Sequence, residues 1–197
     1  MSTDVQVLRP PRPRRLAPVI ESEVLAVIIF VGTEVMLFAG FISAYQIVGA
    51  RAAVGEWPPP WDPALPVRET AVATLALTLS GLAMFLAGRF ERTDAAKTLR
   101  AMVTALVLAA GFVAYQVYEA VRMVGQGLTI HSSAHGSFVY MIVGIHAIHC
   151  VAALGVLAWA IRRKAAGTMS PHLLQAVQVF WYFVVGLWPI LYAMVYL

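Results

Sequence analysis

The stretch VLAVIIFVGTEVMLFAGFISAYQIV, residues 24–48, contains a single charged residue, Glu34. About 20 apolar residues in a helix cross a hydrocarbon core of about 30 Å, so this stretch is long enough to span a membrane. Four other runs are comparably long and apolar, at 68–88, 101–124, 136–161 and 173–197. None shows the alternation of a strand, and a helix satisfies its own backbone amides in lipid. The sequence therefore predicts an all-α integral membrane protein with a bundle of five transmembrane helices.

The composition supports the same class. Of 197 residues, 60% are hydrophobic and only 12% are charged, whereas a soluble domain is nearer half apolar and a quarter charged. So few charged residues cannot form the shell that a soluble domain of this size needs. We expect residues 21–197 to form one five-helix transmembrane domain, preceded by a basic, proline-rich, flexible cytoplasmic tail at 1–20.

The distribution of basic residues predicts the orientation. The N-terminal segment and the loops after the second and fourth spans, which lie on one side of the membrane, contain eleven basic residues: Arg9, Arg12, Arg14, Arg15, Arg89, Arg92, Lys97, Arg100, Arg162, Arg163 and Lys164. The opposite ends carry only Arg51, Arg68 and Arg122. Because cytoplasmic loops are enriched in Lys and Arg, the N-terminus is predicted to be cytoplasmic and the C-terminus periplasmic.

The net charge of +4 could also indicate nucleic acid as a partner. The basic residues lie beside the ends of apolar runs, however, and do not interleave with aromatic residues as in nucleic-acid-binding segments. Nucleic acid is therefore not a predicted partner. Cys150 is the only cysteine, so it cannot form a disulfide within the chain, and we interpret it as a small buried side chain.

Polar residues inside the predicted spans are the candidate functional residues, because such groups are costly in lipid and usually face protein or water. Glu34 falls near the middle of the first span. His146 and His149 fall near the middle of the fourth, and their i, i+3 spacing puts them on one side of the helix. Glu119 lies near the outer end of the third span, one turn after Gln116.

Three interpretations of these residues compete. Glu34, His146 and His149 are suitable metal ligands, although three ligands spread over two helices are weak evidence. Glu34 could relay protons, because a carboxyl group removed from water favours its protonated form. Alternatively, the residues form a buried hydrogen-bond network that holds the helices together. The outer loop of Trp57, Pro58 and Pro59 is predicted to be rigid and interfacial.

The remaining histidines are assigned to loops. His131 and His135 are predicted to face water, and His172 to cap the inner loop between the fourth and fifth spans.

Four stretches, in order along residues 24–197, resemble subunit III of the haem-copper terminal oxidases. Residues 32–41, GTEVMLFAGF, are similar to its Ser-Glu-Val-x-Phe-Phe-x-Gly stretch, and Trp57-Pro58-Pro59 follows at the expected distance. Residues 116–119, QVYE, resemble its Gln-x-x-Glu, and residues 144–149, GIHAIH, resemble its Gly-x-His-x-x-His. Residues 181–184, WYFV, with Trp188, resemble its last helix.

The resemblance implies a subunit without redox centres, whose haem and copper belong to partner subunits I and II. In that family, subunit III packs on subunit I, lines a lipid-filled cleft, supports proton uptake and protects the oxidase during turnover. Glu34 matches the family's membrane-embedded glutamate near the cleft, and His146, His149 and Glu119 match structural polar residues. Bound phospholipid and a bacterial cytoplasmic membrane are implied as well, and the chain is similar to the short five-helix bacterial forms.

The chain departs from the family pattern in its last helix. Tyr182 and Val185 replace the histidine and aspartate of Trp-His-Phe-Val-Asp, and Pro189 interrupts the same helix. Such divergence is compatible with a specialised oxidase or with the related accessory protein of nitric oxide reductases. A standalone membrane metalloenzyme is the third alternative. The electron donor, cytochrome c or quinol, stays open because this subunit does not bind it.

Overall fold

Five helices make up the regular structure of the computed structural model, which describes residues 22–197. They are α1 (Ser22–Arg51), α2 (Val67–Phe90), α3 (Ala95–Gly125), α4 (Ala134–Ala165) and α5 (Pro171–Val195). All five are long and apolar enough to cross a membrane, and the described part of the chain contains no strand. The prediction of an all-α bundle of five membrane-spanning helices is confirmed. The predicted tail at 1–20 lies outside the described residues.

Each helix begins before its predicted apolar span. The largest difference is at α3, which starts at Ala95 rather than 101 because Asp94 caps it. The Asp94 carboxylate accepts a hydrogen bond of 3.0 Å from the backbone N–H of Lys97. That bond, together with the Lys97 side chain, lowers the pKa of Asp94 below its usual value. Hydropathy detects only the part of a helix that lies in hydrocarbon, so it misses charged first turns of this kind.

Helix α5 is the centre of the bundle. Its backbone approaches α1, α2 and α4, while α2 pairs along its length with α3, and α3 packs on α4. Helix α1 approaches only α4 and α5 among the described helices. Most of α1 therefore faces away from the bundle, and of its residues only Phe38 and Tyr45 are buried.

The core combines small residues with a few large rings. Ala87, Ala105 and Ala160 are fully buried, and small side chains let helices approach closely in membranes. The largest fully buried side chain is Trp188, whose indole N–H donates a 2.8 Å hydrogen bond to Thr74 Oγ1. Helix α5 runs through Pro189 without ending there.

Interhelical contacts join loops that were predicted to lie on the same side. At the predicted cytoplasmic end, Lys164 Nζ lies 2.6 Å from Glu91 Oε2, which links α4 to the end of α2. At the other end, Ser133 Oγ donates a 2.6 Å hydrogen bond to Asp62 Oδ2 and so joins the two outer loops. The assignment of these ends to cytoplasm and periplasm rests on the distribution of basic residues alone.

We predict that Trp188→Ala lowers the free energy of unfolding by about 3–5 kcal/mol, the usual range for removing a buried tryptophan. The substitution leaves a cavity and takes away the donor to Thr74. Trp61→Ala is the control, because the Trp61 side chain is 71% exposed and its loss should change stability by less than about 0.5 kcal/mol. Unfolding of the two variants in detergent tests this, and equal losses would contradict it.

Candidate membrane-embedded polar site

Helices α1 and α4 are joined at mid-length by Glu34 and His149. Glu34 Oε2 lies 2.9 Å from His149 Nε2, and the two side chains are only 16% and 14% exposed. The other imidazole nitrogen, Nδ1, lies 2.8 Å from the carbonyl oxygen of Ile145. The Phe38 and Phe183 rings flank the imidazole, with centroids 5.5 Å and 6.2 Å away. The pair is thus held in an apolar environment.

The geometry of His149 fixes one proton in this pair. A carbonyl oxygen can only accept, so Nδ1 of His149 must carry hydrogen and donate to Ile145. The contact between Nε2 and Glu34 then needs a second proton, either on the carboxyl group or on the imidazole. In either arrangement the contact joins α1 to α4 through one hydrogen bond.

His146 belongs to a different contact. Its Nε2 lies 3.2 Å from Cys150 Sγ, and its ring stacks on Trp188 with centroids 4.9 Å apart. Its Nδ1 has no hydrogen-bond partner among residues 22–197. Cys150 is buried, as the sequence predicted.

The proposed metal ligands do not converge. His149 contacts Glu34, whereas His146 faces Cys150 and Trp188, although the two histidines are one turn apart. Within residues 22–197, no three His, Cys, Asp or Glu side chains form a group that could hold a metal ion. The geometry instead matches the interpretation of interhelical hydrogen bonds.

Glu119 and Gln116 form a second polar group, near the outer end of α3. The Glu119 carboxylate accepts hydrogen bonds from Thr70 Oγ1 at 2.9 Å and from the Tyr196 hydroxyl at 2.7 Å. The carboxylate of Glu119 on α3 thus contacts the first turn of α2, through Thr70, and Tyr196, the residue that follows α5. Thr70 and Tyr196 were missed from the sequence because neither has a distinctive motif, and only packing brings them to Glu119.

The outer loop packs against α1 and α4. The peptide bond between Trp57 and Pro58 is cis, and the Trp57 ring contacts Tyr45 and His135 with centroids 5.3 Å and 5.4 Å apart. Trp57 also covers Gly49, where a Cβ atom would lie only 2.7 Å from the indole nitrogen. Pro59 follows in the same loop and lines a groove with Trp57. The loop is therefore anchored by its tryptophan.

The prediction for His135 was wrong. It does not face water but is 3% exposed, with Nδ1 at 3.1 Å from Asp62 Oδ2. The reason is that Ser133 caps α4, so His135 lies in the first turn and points under the loop. His131 is exposed, as predicted.

The prediction that His172 caps the inner loop stays a prediction, and the N-terminus of α5 has a cap of its own. The cap of α5 is Ser170, whose Oγ accepts a 3.1 Å hydrogen bond from the backbone N–H of Leu173.

Tyr182 and Val185, the two residues of α5 that differ from the family pattern, have different surroundings. Tyr182 interacts with Gln178 at 3.4 Å, and Gln178 also donates to the Met84 carbonyl at 2.9 Å. Val185 is buried against Gly81, where an added Cβ would come within 3.0 Å of it. An apolar helix contact thus occupies the position at which the resembling family has an aspartate.

The comparisons with known proteins agree with this architecture. The family model described as "Cytochrome c oxidase subunit III" matches residues 16–197. A probable cytochrome c oxidase subunit 3 of Nocardia farcinica is 32% identical over 86% of this chain and 84% of its own length. The cytochrome c oxidase subunit 3 of Corynebacterium diphtheriae is 29% identical over 93% of both chains. Subunit 3 of a cytochrome bo(3) ubiquinol oxidase of Pseudomonas putida is 25% identical over 88% of this chain and 84% of its own length.

These findings define a multi-pass membrane protein whose polar side chains connect helices. The chain belongs to the subunit III family of the haem-copper oxidases, and the resemblance drawn from its motifs is confirmed.

A double-mutant cycle on Glu34→Ala and His149→Ala tests the link between α1 and α4. We expect a coupling energy of about 0.6 kcal/mol and at most about 1.7 kcal/mol, the average and the maximum measured for hydrogen bonds between membrane helices. Unfolding in detergent or bicelles provides the measurement. The control cycle combines Glu34→Ala with Tyr196→Phe, which share no contact and should be additive within about 0.5 kcal/mol. Similar coupling in both cycles would rule out a specific pair.

Proposed function

We propose that this chain is the non-catalytic subunit III of a respiratory haem-copper terminal oxidase in a bacterial cytoplasmic membrane. Its role is to stabilise subunit I and to support proton uptake there, while oxygen reduction occurs at haem and copper held by subunits I and II. The observation that carries the proposal is the contact of 2.9 Å between Glu34 and His149, which joins α1 to α4. Glu34 and His149, which the sequence indicated as candidate functional residues, thus contribute to helix packing.

Helix α1 is the proposed point of contact with the rest of the complex. Among the described helices it packs on α4 and α5 only, so residues 22–197 leave most of its apolar surface uncovered. Met36 is 76% exposed and Ile29 is 61% exposed on that surface. In the assembled oxidase, subunit I and phospholipids of a lipid cleft would cover it. Because Glu34 lies on the same helix, a contact on α1 would bear directly on the position of the pair.

Proton uptake is supported by the same pair. A carboxyl and an imidazole group that share one proton across a 2.9 Å contact can exchange it with little movement of the helices. Such a pair close to subunit I would keep a hydrogen-bonded polar group in a fixed position at membrane depth. It would thereby hold α1 in place during turnover.

Purification of the chain from its native membrane in mild detergent tests the partnership. We expect subunit I and a copper-binding subunit II to copurify, with a reduced-minus-oxidised spectrum of haem. Copurification with a nitric oxide reductase instead would assign the chain to the accessory protein of that enzyme. A chain recovered alone and without haem would refute both partnerships and reopen the possibility of a standalone metalloenzyme.

Within the purified oxidase, Glu34→Gln should leave the initial turnover rate nearly unchanged, because a glutamine amide can still donate to His149. Glu34→Leu has no polar group at this position and should shorten the period over which activity persists. Oxygen consumption followed over many turnovers measures both effects. Glu69→Gln is the control, since its side chain is 55% exposed and paired with Arg122. Complete loss of activity in Glu34→Gln from the first turnovers would refute a structural role.

A further inference from the structure

A cavity of about 130 Å³ lies between α3 and α4, near the outer ends of the two helices. Most of its walls are apolar, but four polar side chains also line it: Gln116, Glu119, Tyr140 and Tyr196. A buried water needs about 10–15 Å³ of such space and takes up about 30 Å³ in the liquid. The cavity therefore has room for at least one water and for at most about four.

The polar side chains of the lining have hydrogen-bonding capacity to spare. The Glu119 carboxyl group accepts two hydrogen bonds, whereas an ionised carboxylate offers about four acceptor sites. The Gln116 side chain interacts with the Tyr196 hydroxyl, and a primary amide has two N–H donors, so at least one stays available. The Tyr140 hydroxyl donates to a backbone carbonyl at 2.9 Å, which leaves its oxygen able to accept. A water needs two to four polar partners, and these side chains supply that number.

Water suits this lining better than a hydrocarbon chain does. The cavity borders the surrounding lipid at Val117, which is 59% exposed, so both kinds of occupant could reach it. A hydrocarbon chain would leave the spare groups of Gln116 and Glu119 without partners, and each unsatisfied buried polar group costs about 1–3 kcal/mol. Immobilising a water costs about 0–2 kcal/mol, which its hydrogen bonds to these groups offset. The balance of the two costs favours water.

Tyr196 and Leu65 separate the cavity from a groove of about 590 Å³ beneath the outer loop, and both residues line both spaces. Tyr196 is 8% exposed, and its hydroxyl donates the 2.7 Å hydrogen bond to Glu119. Because Tyr196 follows the last residue of α5, its ring can move without unwinding the helix. Movement of this ring would connect the cavity to the groove.

We propose that the cavity between α3 and α4 is a water-binding site, and that its water exchanges with the outer groove past Tyr196. The water bonds to Gln116 and Glu119 on α3 and to Tyr140 on α4, so it joins the two helices. Glu119 is thereby in contact with water although it is 4% exposed. Glu34, in contrast, is paired with a histidine among aromatic rings.

X-ray radiolysis of the unmodified chain, purified with its native partners, tests for the water. Hydroxyl radicals formed from a bound water oxidise the side chains beside it, and mass spectrometry measures the products. Met123 lines the cavity and is 4% exposed. Met84 and Met102 are the internal controls, since both are 0% exposed and neither lines the cavity. We expect Met123 to be oxidised several-fold faster than both. Equal protection of the three methionines would overturn the proposal.

Filling the cavity distinguishes its own water from radicals that arrive from outside. Gly144 lines the cavity, and a Cβ atom added there would meet nothing within 4 Å. Gly144→Leu should therefore displace the water and lower the oxidation of Met123 to the level of Met102. Gly155→Leu is the matched control, because it makes the same change on the same helix, in open space away from the cavity. Unchanged oxidation in Gly144→Leu, or an equal decrease in Gly155→Leu, would contradict the site.

An exchange experiment tests the path past Tyr196. The protein is mixed with ¹⁸O-labelled water before irradiation, and the delay at which labelled oxygen appears on Met123 gives the exchange time. Tyr196→Phe keeps the ring but removes the hydrogen bond to Glu119, so exchange should become about two- to tenfold faster. Tyr182→Phe, on the same helix but away from the cavity, should leave the exchange time unchanged. Equal exchange times in Tyr196→Phe and the unmodified chain would refute the path. No readout depends on oxidase activity, so failure here leaves the proposed function intact.

Discussion

The hydrogen bond between Glu34 and His149 meets the constraint on which this bundle depends: a polar group in hydrocarbon must find its partner inside the protein. Helix α1 has few buried residues of its own, and there is no hydrophobic driving force between helices in lipid. The 2.9 Å contact with α4 and the burial of Phe38 are therefore important in holding α1 in place. His149 also contacts the carbonyl oxygen of Ile145, so both of its ring nitrogens have partners.

The same constraint explains the other polar groups. Glu119 gathers Thr70 and Tyr196 around one carboxylate, and Trp188 donates to Thr74 across the interface of α5 and α2. Each contact joins helices that are distant in sequence. His146 and Trp181 are exceptions, since each has a buried ring nitrogen without a hydrogen-bond partner among residues 22–197.

Motifs in the sequence identified the polar residues of the membrane spans but could not predict which of them contact one another. Glu34, His146 and His149 were considered together as metal ligands because they fall at similar depth, yet the two histidines face different neighbours. Successive side chains of an α-helix are rotated by about 100°, so two histidines that are one turn apart still point in different directions. The tilt of each helix decides which neighbouring helix each side chain meets. His135 was misplaced for a similar reason, since its burial depends on Asp62 from a distant loop.

The sequence by itself determined the class of protein, the number of spans and the family. The hydropathy of some 20 consecutive residues is a local property, and it decides whether a segment can span a membrane. The four motifs are recognised from their order along the chain, without knowledge of the fold. Tertiary structure alone decided that Glu34 meets His149, that Tyr196 closes over Glu119, and that a cavity forms beside Gln116. These features depend on how five helices rotate and tilt against one another. That arrangement follows from the summed packing of many small contacts and not from any single segment.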